Sequence, residues 1–454
     1  MQLVAMGAQD VYLTGNPQIT FFKVVYRRHT NFSKECIAQT FSGSVPTTAE
    51  GSVTCTLARN GDLVQEIYLQ TTVEANPSDA AAVQLKAITK ADKLIEANAA
   101  HGLSANDEVY FSKVLAGDGV ADTTVNTIYF VVAAGLTATK FSISTTKGGA
   151  AYALDDDTDA TDTTVTKNNV TLDNGDMTDL IKTVEVEIGG QKIDKHYSQW
   201  LDIYNELFET SHDLRFAMTN GSQTAPNVNT KTHYIPLRFW FNRNPGLALP
   251  LIALQYHEVK INMTLNPART AGAVTMSDAK LLVNYLYLDT DERRRFAQVS
   301  HEYLIEQVQH TGVESDSTID MNFNHPVKAL FWTAPGATLG VAKIQLNGHD
   351  RASEQPADYY HLVQPYECGL GHSGKSLNAT TRAWSTVASG GDVGMYSFCL
   401  KPAEHQPSGT CNFSRIDNAR LNMGATTPAS VWLFAVNYNV LRIMSGMGGL
   451  AYSN

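Results

Sequence analysis

The stretch Gly369-Leu-Gly-His-Ser-Gly-Lys375-Ser376 satisfies the phosphate-loop pattern GxxxxGK[ST] letter for letter. Phosphate binding by such a loop needs converging backbone amides, held between a buried parallel strand and the N-terminus of a helix. Neither flank offers this. Upstream, Gln364-Pro-Tyr-Glu-Cys368 is no buried strand, and Pro365 removes a ladder donor. Downstream, Asn378-Ala-Thr-Thr-Arg-Ala-Trp384 carries two β-branched threonines and no apolar stripe, so it is a poor helix. The run Leu286-Tyr-Leu-Asp289 has the apolar body and acidic end of a magnesium-binding strand, but it lies before the loop. Gly369–Ser376 is therefore read as a decoy within a long surface connection, and no cofactor is expected.

Other reactive side chains lack the spacing their chemistry would need. His310, His325, His349, His361, His372 and His405 show no HxxxH or HExxH pairing, so no metal site is expected. Glu404-His405 beside Ser408 could supply a base and a nucleophile, but no G-x-S-x-G turn is present and turn chemistry explains Pro402–Gly409. No catalytic residue is assigned, and an enzyme is not expected. Asp155, Asp156, Asp157 and Asp159 could offer carboxylates to calcium, yet they lack the loop spacing and closing Glu of a calcium hand, and read as a solvated acidic loop. Cysteines at 36, 55, 368, 399 and 411 are odd in number without CxxC spacing, which fits reduced, packed thiols. Lys23, Arg27, Arg28 and His29 could face phosphate, but no stacking platform or second basic patch accompanies them; an edge-strand face or intersubunit contact is the reading. Six asparagines, 31, 169, 220, 262, 378 and 412, begin N-x-[ST]; Asn169, Asn220 and Asn378 are retained as glycosylation candidates.

Length and composition frame what must hold these residues. A chain of 454 residues exceeds the roughly 250–300 at which single cores stop growing, so two domains are expected. Hydrophobic content of 43% and charged content of 17%, with Val, Thr, Tyr and Phe prevailing, describe an ordered and mainly β protein. A net charge of -11 repels phosphate backbones and anionic headgroups, which argues against a nucleic-acid coat. No apolar window reaches the roughly 18–20 residues that span a bilayer, and no leader opens the sequence, so synthesis and folding in the cytosol are expected.

The chain repeats itself. Tyr396, Phe398 and Leu400 alternate with Ser397 and Cys399 as in a half-buried strand, Pro402–Gly409 breaks it, and Arg420-Leu-Asn-Met423 closes the unit. Earlier, Tyr234-Ile-Pro-Leu-Arg-Phe-Trp-Phe241 is again aromatic and apolar, Pro245-Gly246 breaks it, and Lys260-Ile-Asn-Met263 closes it. Ile188-Gly-Gly-Gln191 answers Leu346-Asn-Gly-His349, and Val283-Asn-Tyr285 answers Val436-Asn-Tyr438. Agreement in the same order at nearly constant spacing implies a duplicated unit. Arg59-Asn-Gly-Asp62 between two strands reads as a hairpin. Its counterpart, Asn324–Trp332, lies farther away than the other pairs, so the first copy carries about 106 extra residues between Leu69 and Val184. Short strands at Glu108–Val114, Thr127–Val132 and Lys140–Ser144 make this insert a small β module. Thr20–Thr40 reads as strand-rich, Tyr197–Phe208 as a short amphipathic helix, and Asp289–Gln298 as a charged hinge. The domains are then 1–290, with the module at about 75–167, and 291–454.

GAQDVYLTGNPQITFFKVVYRRHTNF, VEVEIGGQKIDKHY, NPGLALPLIALQYHEVKIN, LDTDERRRFAQVSHEYLIEQ, QPSGTCNFSRIDNA and NYNVLRIMSGMGGLAYSN resemble the major capsid protein of nucleocytoplasmic large DNA viruses, nearest the algal-virus type. The likeness spans the chain outside roughly residues 75–167. It implies an all-β double jelly roll, two tandem eight-stranded jelly rolls with short helices, and three chains forming a pseudo-hexagonal capsomer that tiles an icosahedral virion shell. The implied partners are other copies of itself (homotrimer and capsomer–capsomer contacts), minor capsid and penton proteins, with an internal viral membrane nearby but not entered, and no direct nucleic acid; assembly would take place in the host cytoplasm. The module would sit at the solvent-facing top of the first roll, and Arg27, Arg28 and Arg293–Arg295 would form ion pairs within or between subunits. The competing reading is a surface β-sandwich carbohydrate-binding or spike protein of a virion. ATP or GTP with magnesium should leave the melting temperature unchanged, and Lys375→Ala should alter stability by no more than about 0.5 kcal/mol; a nucleotide-dependent thermal shift abolished by that substitution would restore the phosphate-loop reading.

Overall fold

The computed structural model describes residues 7–75, 82–89, 91–113, 116–117, 120–121, 123, 127, 129–153, 163–167, 177–209, 211–219, 230–269, 274–334, 339–351, 353–370, 375–377, 384–386, 393–424 and 430–452. Two pairs of antiparallel sheets account for most strands. In the first pair, Phe32–Thr40, Val274–Leu288, Leu63–Ala75 and Thr230–Pro236 lie side by side in that order. Facing them are Gln191–Tyr197, Ile181–Ile188, Val259–Leu265 and Gly51–Thr56. Counted along the chain, the first of these eight strands pairs with the last, the last with the third and the third with the sixth, while the second, seventh, fourth and fifth make the opposing sheet. This is jelly-roll order. Period-2 alternation creates the core: Val259, Ile261, Met263 and Leu265 point inward, while Lys260, Asn262 and Thr264 stay partly exposed.

The second pair repeats that order. His301–Glu314, Val431–Met444, Pro326–Thr333 and Val393–Ser397 face Thr318–Asp320, Ala419–Met423, Ala342–Leu346 and His349–Asp350. Duplication is visible down to single turns. The hairpin after Ile181–Ile188 turns at Gly189 and Gly190 (φ +57° and +84°), and the one after Ala342–Leu346 turns at Asn347 and Gly348 (φ +51° and +74°). Both central residues of a two-residue hairpin must be left-handed, which Gly and Asn tolerate. The expected all-β double jelly roll is thus borne out.

Between the third and fourth strands of the first roll, the insert forms a closed barrel of Lys140–Ser144, Leu94–Ala97, Val83–Thr89, Thr164–Lys167, Glu108–Phe111 and Tyr129–Val132. It has its own apolar core, with Leu85, Ile95, Phe111, Val131, Phe141 and Val165 buried. Closure removes the edges that a small sheet would otherwise expose.

Some local expectations fail. Asn60-Gly61 does not form a hairpin: Gly51–Thr56 pairs with Val259–Leu265 in one sheet, and Leu63–Ala75 with Val274–Leu288 in the other. The segment is a crossing between sheets, pinned where Asp62 N donates to Leu286 O (3.0 Å) and Asp62 Oδ2 accepts from Leu288 N (2.9 Å). Tyr234–Phe241 is not one strand, since pairing ends at Pro236 and Trp240–Arg243 is a helical turn capped by Asn242 Oδ1 accepting from Phe239 N. Thr20–Thr40 is a strand only from Phe32 onward; residues 7–31 are all exposed and include the helix Ala8–Thr14. Cys55 is buried, whereas Cys36 is exposed, so not every thiol is packed.

Trp332 and Gly394 are cross-strand partners, and a Cβ on Gly394 would sit 2.2 Å from Trp332 Cε2. Gly394→Ala should therefore destabilise the protein by about 1–3 kcal/mol, the usual cost of overpacking a core; a denaturant midpoint unchanged from wild type would show that the indole is not seated there.

Candidate functional site

The junction between the two rolls joins apolar packing to buried charge. Pro326–Thr333 is buried on both faces: Leu330 and Trp332 point into the second roll's core, while Ala329 and Phe331 point outward. That outer face is covered by the helix Ser198–Leu207 of the first roll. Trp200, Ile203 and Leu207 pack with Phe331, Phe434 and Val436, and the Trp200 ring lies 5.5 Å from Phe331 and 5.9 Å from Phe434. An uninterrupted apolar strand is what coverage from both sides demands. The C-terminal hairpin reaches back in return. Leu441 and Ile443 enter the first roll's core, Tyr256 N donates to Gly446 O (3.0 Å), and Leu450 N donates to Gln191 Oε1 (3.4 Å).

Within this apolar seam lies a charge cluster. Glu306, buried on His301–Glu314, receives Arg243 Nη1 at 2.8 Å and Lys328 Nζ at 2.6 Å. Arg243 comes from the first roll, Lys328 from the second. Lys328 also donates to Pro402 O (2.7 Å), and its ammonium stands 5.6 Å from the Tyr438 ring centre. His405 Nδ1 lies 3.8 Å from Glu306 Oε1, and the Arg243 guanidinium packs 5.5 Å from the Tyr204 ring. Beside the cluster, Asp194 Oδ1 accepts from Val308 N (3.0 Å), a second buried carboxylate fastening one roll to the other.

Burial raises the Glu306 pKa, but the attraction of Arg243 and Lys328, with hydrogen bonds from His405 and Lys328, outweighs it and holds the carboxyl down at about 2. Burial pulls Lys328 below the usual lysine value, with Glu306 opposing. His233, buried elsewhere in the first roll, is pushed down to about 4 by burial and by Lys231. The Glu306 cluster thus fixes the placement of one roll against the other.

The residues singled out by motif lie elsewhere. The helix Gln364–Glu367 runs directly into Gly369, whose N–H donates to Tyr366 O (3.1 Å), so Gly369 follows the carbonyl end of a helix. Residues 371–374 lie outside the described residues. Lys375–Leu377 is a strand paired with Trp384–Thr386, where a phosphate loop would have its helix. His405 faces Glu306, while Ser408 Oγ accepts from Lys401 N (3.0 Å) and Glu404 pairs with Lys401 (2.9 Å), so these three side chains do not converge. His310 stacks on Trp432 and Phe434, and His361 Nδ1 lies 2.9 Å from Val393 O. Among the described residues, no three His, Cys, Asp or Glu side chains are placed to hold a metal ion. Asn169, Asn220, Asn378, His372 and the acidic run at 155–159 lie outside the described residues. Of the arginines expected to pair, Arg293 Nε reaches Asp62 Oδ1 at 3.0 Å from the hinge helix Thr290–Gln298, while Arg27 and Arg28 have no ion-pair partner among the described residues.

Sequence reading missed Arg243, Glu306 and Lys328. A signal existed in Lys328, a lone cation inside the otherwise apolar Pro-Val-Lys-Ala-Leu-Phe-Trp. Glu306→Gln should destabilise the protein by about 3–5 kcal/mol, because it leaves buried Lys328 and half-buried Arg243 without their counter-ion. Glu306 has its folded-state pKa depressed, so its contribution is present above about pH 4.5 and lost as pH falls towards about 2. His233, also depressed, adds acid sensitivity between about pH 6.5 and 4. Denaturant melts from pH 7 to pH 2 should show the gap between wild type and Glu306→Gln closing below pH 4.5; a constant gap would remove the charge cluster from the account.

Comparison with known proteins agrees with this architecture. A family model for the major capsid protein N-terminus matches residues 20–95 and 158–299, and one for the large eukaryotic DNA virus major capsid protein matches residues 292–340 and 333–449. The first match breaks within the barrel insert. The major capsid protein of Pyramimonas orientalis virus is 47% identical across 100% of this chain and 99% of its own length. That of Paramecium bursaria Chlorella virus 1 is 36% identical with the same coverage. Among solved structures, the VP54 protein of the latter virus superimposes with a TM-score of 0.62 at 33% identity, over 96% of this chain and 100% of that one. The Faustovirus major capsid protein shares the fold at a TM-score of 0.58 with only 12% identity. With both rolls matched and the relatives aligned end to end, the chain belongs to the major capsid protein family of large eukaryotic DNA viruses.

Proposed function

We propose that this chain is a structural building block that forms homotrimers, and that these trimers are pseudo-hexagonal capsomers tiling an icosahedral shell. The observation that carries the reading is the duplication: two rolls of one strand order, locked together by the junction, give each chain two similar faces. Three such chains present six similar units around one axis, the symmetry a hexagonally packed lattice requires. In this reading the two rolls are the domains 1–290 and 291–454. The barrel insert sits in a strand connection with its own core, which suits an outward-facing decoration on the two-roll frame. Minor capsid and penton proteins are the further partners of this reading, with an internal membrane nearby but not entered and assembly in the host cytoplasm. Gly369–Ser376 takes no nucleotide in it, and the chain performs no catalysis. Native mass measurement tests this: a particle of three 49.5 kDa chains is expected, and a chain that stays monomeric at every concentration would overturn the capsomer reading.

A further inference from the structure

The two rolls also meet edge to edge. Gln191–Tyr197 is the outermost strand of its sheet in the first roll, and His301–Glu314 is outermost in the second. Gln307 Nε2 donates to Ile193 O and Val308 N donates to Asp194 Oδ1 (3.0 Å), which stitches the two edges together. Beside these bonds a cavity of about 240 Å³ remains, walled by residues of both rolls. Clefts between folding units are preferred places for small ligands.

The chemistry of the walls defines a ligand class. Lys192 and Lys195 come from the first roll and share one carboxylate: Glu185 Oε2 lies 3.2 Å from the first ammonium and 3.9 Å from the second. Asp194, the acidic residue of the walls, is committed below, where Oδ1 accepts from Lys195 N (2.9 Å) and Val308 N. Two ammonium groups against one shared carboxylate leave a surplus of positive charge. Tyr197 lies with its ring 5.4 Å from the Lys195 ammonium and edge-on to His310 of the second roll (4.9 Å). Among the described residues, the Tyr197 hydroxyl and the His325 ring have no hydrogen-bond partner. His310 donates through Nδ1 to Leu433 O (2.9 Å), and burial holds its pKa below the ordinary histidine value, so Nε2 carries a lone pair. Tyr452 adds a second, exposed aromatic face. Ammonium donors, aromatic surface, a free hydroxyl and a neutral imidazole acceptor match a molecule with one negative charge, several hydroxyls and an apolar face.

We propose that this cavity binds a small hydroxylated anion of the sugar-acid class, its carboxylate held by Lys192 and Lys195 and its hydroxyls by Tyr197, His310 and His325. A bare inorganic anion would leave the imidazole acceptor and the aromatic faces unused. A neutral sugar would leave the surplus ammonium charge uncompensated. Because the contacts come from both rolls, an occupant ties one to the other, and a ligand that binds only the folded chain stabilises it by mass action. The site does not depend on how copies of the chain associate.

The test titrates the full chain with glucuronate at constant ionic strength, with glucose as the control for hydroxyls without charge and acetate for charge without hydroxyls. Calorimetry should show glucuronate binding at least about tenfold tighter than either control, and the melting temperature should rise with it. Lys192→Met with Lys195→Met should weaken glucuronate binding by at least about tenfold and leave the unliganded melting temperature at the wild-type value, since both side chains reach solvent. Tyr197→Phe keeps the ring against His310 and removes only the hydroxyl, so it should weaken binding by less than the lysine pair does. Hydrogen exchange at Val308 N, beside the cavity, should slow when glucuronate is bound. Absence of heat and of a thermal shift with glucuronate would overturn the proposal, as would binding that glucose or acetate matches or that survives the loss of both lysines.

Discussion

The structure depends on a carboxylate held between cations from two different folding units. Neither Glu306 nor Lys328 can be buried alone; the carboxylate is tolerable because Lys328 and the half-buried Arg243 reach it at 2.6 and 2.8 Å. Arg243 belongs to one roll while Glu306 and Lys328 belong to the other, so the cluster is satisfied at one relative placement of the rolls. Its net contribution to stability need not be large, since desolvating three charges offsets much of their attraction. What it supplies is registration. The apolar surfaces of helix Ser198–Leu207 and of the sheet it covers could slide by a residue at modest cost, but the ion cluster and the Asp194 to Val308 hydrogen bond could not.

Registration matters because the duplicated rolls are alike but not identical in surroundings. The second roll has its outer sheet face sealed by the first, so its central strand is apolar on both sides. The first roll's equivalent face carries Glu66, Tyr68, Gln70 and Thr72 in alternation with Ile67, Leu69 and Val73, the pattern of a sheet covered on one side. The same strand order thus serves one roll whose outer sheet face is sealed and one whose outer sheet face is not. The barrel insert leaves both rolls' strand order intact, because it lies in a strand connection and has its own closed core.

Much of this was legible in the sequence, for reasons that can be named. Alternation in Val259–Leu265 and the paired turns Gly189-Gly190 and Asn347-Gly348 are local signals, and they report local structure faithfully. The duplication was legible because it is a comparison of the chain with itself. Asn60-Gly61 misled, because strand pairing in a jelly roll is set by distant partners, and the strongest local hairpin signal lost to Val259–Leu265 and Val274–Leu288. The ion cluster was illegible for a related reason. Arg243, Glu306, Lys328 and His405 span more than one and a half hundred residues, and no spacing rule brings such groups together. Gly369–Ser376 shows the converse: a strong local pattern whose surroundings, a helix end before and a strand after, lack the geometry that gives the pattern its meaning.

The central claim is that the junction makes two rolls into one cooperative body. Native-state hydrogen exchange addresses it directly, by comparing the slowest amides of the two cores, such as Leu69 and Val186 in the first roll with Leu330 and Leu433 in the second. If the junction couples them, both sets exchange through one opening with the same free energy and the same denaturant dependence. If amides of one roll exchange through full opening while those of the other remain protected, the rolls fold independently and the junction is only a contact between them.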